Sequence, residues 1–180
     1  MLSFDTTHAL TSHLLAADAA APHGDWTVPP ALLLIQDHPL PGSGDVRQAS
    51  LVDIPLPADQ PLPRVLSEVT EALTTATIVR VLGVDISVLT VALAESSPGL
   101  RLIGVGVRYD DLDAAADGLR RIRRVDAVDV DGRTYEVTRR HGETTPAVMV
   151  DDHPVPHDVK ATHAALAALL TAALAPGPRI

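Results

Sequence analysis

Two alternating runs, residues 125–130 and 133–138, flank the dipeptide Asp131-Gly132. Asp-Gly between period-two segments predicts a two-residue β-hairpin, because the type I′ turn it favours twists in the sense of the strands it joins. A chain that forms an antiparallel ribbon here needs further strands beside it and an apolar layer against it. Counting outward from the turn places Val130 opposite Arg133, Val128 opposite Tyr135, Asp126 opposite Val137 and Arg124 opposite Arg139.

The rest of the chain supplies those strands and layers. Asp5 or Thr6 can cap a first helix that reaches about Ala20, with Leu10, Leu14 and Ala17 on one face. Residues 31–36 and 46–54 read as strands, joined by a loop that Pro39, Pro41, Gly42 and Gly44 mark. Nine of the fifteen prolines lie between Pro22 and Pro63, but the aliphatic runs among them argue for folded chain and against a linker. Leu62, Val65, Leu66, Val69, Leu73 and Ala76 recur at helical spacing, with Pro61 and Pro63 in the first turn, where a missing N–H costs nothing. Residues 78–83 are ambiguous. Residues 86–93 and 100–109 read as strands about the loop Ser96-Ser97-Pro98-Gly99. Residues 110–121 are acidic at the start and basic at the end, which predicts a short helix aligned with its dipole.

Residues 146–150 read as a further strand, and a last helix runs from about 156–158 to just before Pro176-Gly177-Pro178. The order is α-β-β-α-β-β-α-β-β-β-α, with more hairpin connections than crossovers. This predicts an α+β fold, one domain over residues 1–180, with a largely antiparallel sheet of about six to seven strands packed with about four helices. At 180 residues the chain is long enough to bury a core without staples.

Composition narrows the function. Net charge is −9 and aromatics are 2% of residues, so neither phosphate attraction nor base stacking favours nucleic acid. There is no cysteine, which removes thiolate chemistry and disulfides. The N-terminus has no secretory pattern and no apolar run is long enough to span a bilayer, so a cytoplasmic protein without membrane contact is expected. No nucleophile elbow, zinc-protease helix or phosphate loop is present, and no cofactor is expected. Gly104-Val105-Gly106 lacks a third glycine and points to close backbone packing.

Three sets of residues remain. Seven of the fourteen basic residues fall between Arg120 and Arg140. Arg120, Arg121, Arg123, Arg124, Arg139 and Arg140 form a candidate site for an anion or acidic partner, with Arg124 and Arg139 as a fork whose mutual repulsion a bound anion would relieve. The plainer account pairs them with Asp110, Asp111, Asp113 and Asp117. The last helix carries no charge from Ala161 to Ala175, and its small side, with Ala165, Ala168, Leu169 and Ala172, is a candidate interface for a partner or second copy. Asp151, His153 and His157 are a candidate metal set, with His141 and Glu143 nearby, His163 read as a core histidine and Asp158 as an N-cap. The leading expectation is a non-enzymatic binding protein, whether adaptor, chaperone-like or immunity-type, acting on a protein partner or on itself as a homodimer. A metal-dependent hydrolase using residues 151–158 and a small-molecule-binding protein are the alternatives.

Overall fold

The computed structural model describes residues 1–20, 28–40, 42, 47–75, 80–81, 84–85, 99–115, 118–155 and 157–175. Among these are three helices, α1 (Phe4–Ala20), α2 (Leu62–Thr75) and α3 (Ala161–Leu174). Six strands make one open antiparallel sheet: β1 (Ala31–Pro39), β2 (Arg47–Pro55), β5 (Arg101–Ala115), β6 (Gly118–Asp129), β7 (Thr134–Arg140) and β8 (Ala147–Asp151). Its order is β2-β1-β5-β6-β7-β8. A separate two-stranded ribbon pairs β3 (Arg80–Val81) with β4 (Val84–Asp85). The fold is therefore α+β, as the hairpin-rich pattern implies. No helix among the described residues is long and apolar enough to cross a membrane.

Helices cover both faces of the sheet. Leu10, Leu14 and Ala17 of α1 pack on Leu33, Ile35, Ile103, Val125, Ala127, Tyr135 and Val137. On the opposite face, Val65, Leu66 and Val69 of α2 and Leu166, Leu169 and Leu170 of α3 meet Leu32, Leu34, Val105, Val107 and Val128. Strand side chains alternate, so the aliphatic run of β1 serves both layers: Leu32 and Leu34 point one way, Leu33 and Ile35 the other. This explains why β1 reads as a continuous apolar run and sits inside the sheet.

Several expectations need correction. The helix expected over 110–121 is not formed by its described residues: 110–115 continue β5 and 118–121 begin β6, with Asp110 opposite Arg123, Leu112 opposite Arg121 and Asp113 opposite Arg120. The charge gradient that suits a helix dipole is here a cross-strand match of acidic and basic runs. The Asp131-Gly132 hairpin forms, but with a three-residue loop. Asp129 N–H donates to the Arg133 carbonyl (3.1 Å), Gly132 N–H donates to the Asp129 carbonyl (3.0 Å), and Gly132 has φ +85°. That is a type I turn closed by a left-handed glycine. The Asp129 carboxylate favours it by accepting the N–H groups of Asp131 (2.9 Å) and Arg133 (3.0 Å). The register moves by one residue, so Val125 faces Val137 and Arg123 faces Arg139. One step of register reverses which side chains share a face.

Smaller differences lie at helix ends. Ser3 caps α1, its Oγ accepting Thr6 N–H (3.1 Å), instead of Asp5 or Thr6. Lys160 occupies the cap position of α3 with no side-chain capping bond, so Asp158 is not the N-cap. The strand expected at 86–93, most of the Ser96–Gly99 loop and Ala76 lie outside the described residues.

The Gly104-Val105-Gly106 expectation is met. A Cβ on Gly106 would stand 2.9 Å from the Asp126 carbonyl oxygen, with no flexible atom to yield. Gly106→Ala should lower stability by about 1–3 kcal/mol through overpacking, read as a fall in urea midpoint at unchanged slope.

Candidate functional site

The arginines of the basic cluster separate by face and by depth. On the α1 face, Arg123 and Arg139 stand directly opposite each other, both buried. The repulsion expected of a facing pair is real, but the compensating anions belong to the chain. Arg139 is held by the carboxylate of Asp18 on α1, with their side chains 7% and 1% exposed. Arg123 Nε lies 3.2 Å from Asp110 Oδ1. Arg108, one strand further across, reaches Asp53 (3.0 Å) and donates to the Ala17 carbonyl (3.2 Å). The Arg139–Asp18 pair and the Arg108 bond to the Ala17 carbonyl fasten the C-terminal end of α1 to the sheet.

The opposite face holds Arg124. It pairs with Glu136 and with Asp111 (3.3 Å), so the expected Arg124–Arg139 fork does not form. Lys160, at the start of α3, pairs with Glu136 too. Burial pushes the Glu136 carboxyl up, but Lys160 and Arg124 outweigh it and hold it below its ordinary range. Deeper under α3, Tyr109 donates to Asp126 Oδ2 (2.7 Å), and a His163 ring nitrogen lies 3.1 Å from the Tyr135 carbonyl oxygen. His163 is thus the hydrogen-bonded core histidine expected. Asp126 is wholly buried and its other oxygen has no hydrogen-bond partner. Burial drives its carboxyl upward, against the pull of Tyr109 and of His163.

Arg140 is half-exposed and lies 3.4 Å from Asp113 and 3.9 Å from Glu143. Arg120 and Arg121 are exposed. Their strand is the part of the sheet that outruns its neighbours. Pairing of β5 with β1 ends at Arg108, and pairing of β6 with β7 ends at Ile122. Beyond those limits 112–115 and 118–121 form a two-stranded arm. Leu112, Ala114, Leu119 and Arg121 share its α1-side face by register. Leu112 is 55% exposed and Leu119 71%. Sequence reasoning missed both leucines because a helix was assigned there. The signal that could have found them is the period-two run Asp111-Leu112-Asp113-Ala114, facing a basic run across Gly118. Asp117 lies outside the described residues.

The other candidate residues are not gathered into a site. Leu169 is buried against α2 and the sheet, and Ala165 is half-buried against the same cluster. The small residues on that side of α3 let α2 approach; Ala168 is exposed and Ala172 half-buried. His153 and His157 are exposed; Asp151 accepts the His153 backbone N–H (3.0 Å) and His157 sits 3.5 Å from Asp158. Among the described residues no three His, Cys, Asp or Glu side chains come together to hold a metal.

Clefts open among the described residues. One of about 680 Å³ lies between the start of α1 and the ends of β1, β2 and β5. Its charged wall is Asp37, bound by Arg47 (2.7 Å) and Arg101 (2.6 Å). Burial raises the Asp37 carboxyl, but the two guanidinium groups more than reverse that and keep it low. Another cleft, about 340 Å³, is lined by Arg124 and Arg140 against Asp113, Glu136 and Glu143, so acidic side chains outnumber basic ones by one. No family model matches this chain, and neither does any curated protein or solved structure.

Depth sets what each pair contributes. Asp18→Asn leaves a buried guanidinium uncompensated and should cost about 3–5 kcal/mol. Asp113→Asn breaks a partly exposed pair and should cost about 0–1 kcal/mol; urea unfolding of the two variants side by side measures the difference. Asp126 has the opposite sign. Its raised folded-state pKa gives stability that is full below the unfolded value and lost as pH rises through the folded one. Asp126→Asn should therefore gain on the parent as pH increases from about 4 to about 8, in paired denaturation curves.

Proposed function

We propose that this chain is a non-enzymatic binding protein that engages an acidic protein partner through the β5–β6 arm. The observation that carries the reading is the arm itself. Leu112 and Leu119 are exposed on the same face as Arg121, at the end of a ribbon that outreaches both neighbouring strands, on a chain of net charge −9. Two large aliphatic side chains with the Arg121 guanidinium between them in register supply what an interface core and rim require: apolar area to exclude water, and charge to orient the approach. A net acidic body repels most acidic surfaces, so a basic patch selects where such a surface lands. At the base of the arm Asp110–Arg123 joins its two strands, and Asp113–Arg140 links it to β7. A preorganised ribbon loses little conformational freedom on binding. Adaptor, chaperone-like and immunity-type roles would all use such a surface.

The test compares the parent, the triple variant Leu112→Ser/Leu119→Ser/Arg121→Glu, and Ala168→Glu on the exposed side of α3. Each is cross-linked in native-host extract, and partners are identified by mass spectrometry. An acidic protein recovered with the parent and Ala168→Glu should fall about tenfold or more with the arm variant, as loss of an anchor cluster implies. Its direct binding to the purified parent should weaken with added salt. Equal recovery with all three would refute the proposal. The arm substitutions lie on exposed positions, so unfolding free energies should stay within about 0.5 kcal/mol of the parent.

A further inference from the structure

The two edges of the sheet are finished differently. At one edge, α1 reaches over β2, and a His13 ring nitrogen lies 3.0 Å from the Ala49 carbonyl oxygen. At the other edge stands β8, with all five residues exposed, including Val148 at 43%, Met149 at 57% and Val150 at 39%. Its ladder to β7 runs without a break from Ala147–Thr138 to Asp151–Thr134. Protein sheet edges are ordinarily guarded by lysine, proline, a bulge or a covering element. From Ala147 to Val150 the strand has no charge, no proline and no bulge. It is a flat apolar edge with main-chain groups turned outward.

We propose that β8 pairs antiparallel with β8 of a second copy of this chain, joining two sheets of six strands into one. The sequence of the strand argues for self-pairing. Val148-Met149-Val150 is a palindrome about Met149. With the two-fold axis at Met149, the methionines face each other, and each Val148 faces the second copy's Val150. Ala147 then faces the second copy's Asp151, so the single charge of the strand never meets its like. A two-fold axis normal to the sheet keeps the faces in step. Val148 and Val150 share the α1 side with Val137 and Tyr135, and Met149 lies on the α2–α3 side with Glu136. Pro146 ends the pairing on one side, because it has no N–H to donate. This contact is separate from the arm, and the two proposals stand or fall independently.

Light scattering on the full chain at tens of micromolar should give twice the 18.9 kDa chain mass. Met149→Lys sets two ammonium groups across the axis and should weaken self-association about tenfold or more, with an unchanged far-UV spectrum. The chain has no cysteine of its own, so Met149→Cys should close a disulfide-linked dimer under mild oxidation, whereas Leu119→Cys should not. A monomeric parent at that concentration would overturn the proposal. So would a Met149→Lys dimer as tight as the parent's, or a dimer dispersed by the arm variant and indifferent to position 149.

Discussion

Cross-strand pairing of carboxylates on β5 with guanidinium groups on β6 holds the central hairpin of this molecule in register. Twelve residue pairs join the two strands, and every other part of the sheet is added to one side or the other of them. β1 builds on β5, β7 builds on β6, and the helices rest on the resulting faces. A shift of one residue between β5 and β6 would set Asp110 away from Arg123 and carry the apolar set of one strand to the wrong layer. Charge and hydrophobic pattern therefore specify the same register, as expected of a sequence with few competing pairings.

Much of this architecture is legible in the amino-acid order. The faces of α1 and α2 and the buried run of β1 follow from periodicity, and their buried residues match it closely. What escaped is what depends on distant partners. The run from Asp110 to Arg121 has a helix-like charge gradient locally, and only the return strand shows that it is half of a ribbon. Asp131-Gly132 suggests a two-residue loop after Asp129, whereas the carboxylate of Asp129 closes a longer one. The pairing of Arg139 with Asp18 spans 121 positions and leaves no local trace. Of the candidate site, the basic character of residues 120–140 was visible. Which guanidinium groups are spent inside the fold was not.

With only four aromatic side chains, the core relies on aliphatic packing for cohesion and on buried polar pairs for placement. Ion pairs in the interior are roughly neutral in net stability, since desolvation offsets attraction. Their value here lies in geometry. Asp37 joins β1 to Arg47 on β2 and Arg101 on β5, pinning three strands at one end. Asp18 fixes where α1 ends, and Glu136 fixes where α3 begins. Aliphatic side chains of similar shape could slide past one another; these contacts give each layer one position.

The position of β1 between β2 and β5 also sets an order of events during folding. The run from β5 to β8 is a meander of near neighbours, whose contacts close over short loops. β1 joins it only by closing the loop from Ala31 to Arg108, which includes α2 and the β3–β4 ribbon. Long closures are slow relative to local hairpins. On a ribosome the β1–β2 hairpin emerges before β5, so one edge of β1 stays unpaired until β5 has been synthesised. Synthesis of the stretch between β2 and β5 is thus the interval in which this fold is most exposed to misassociation.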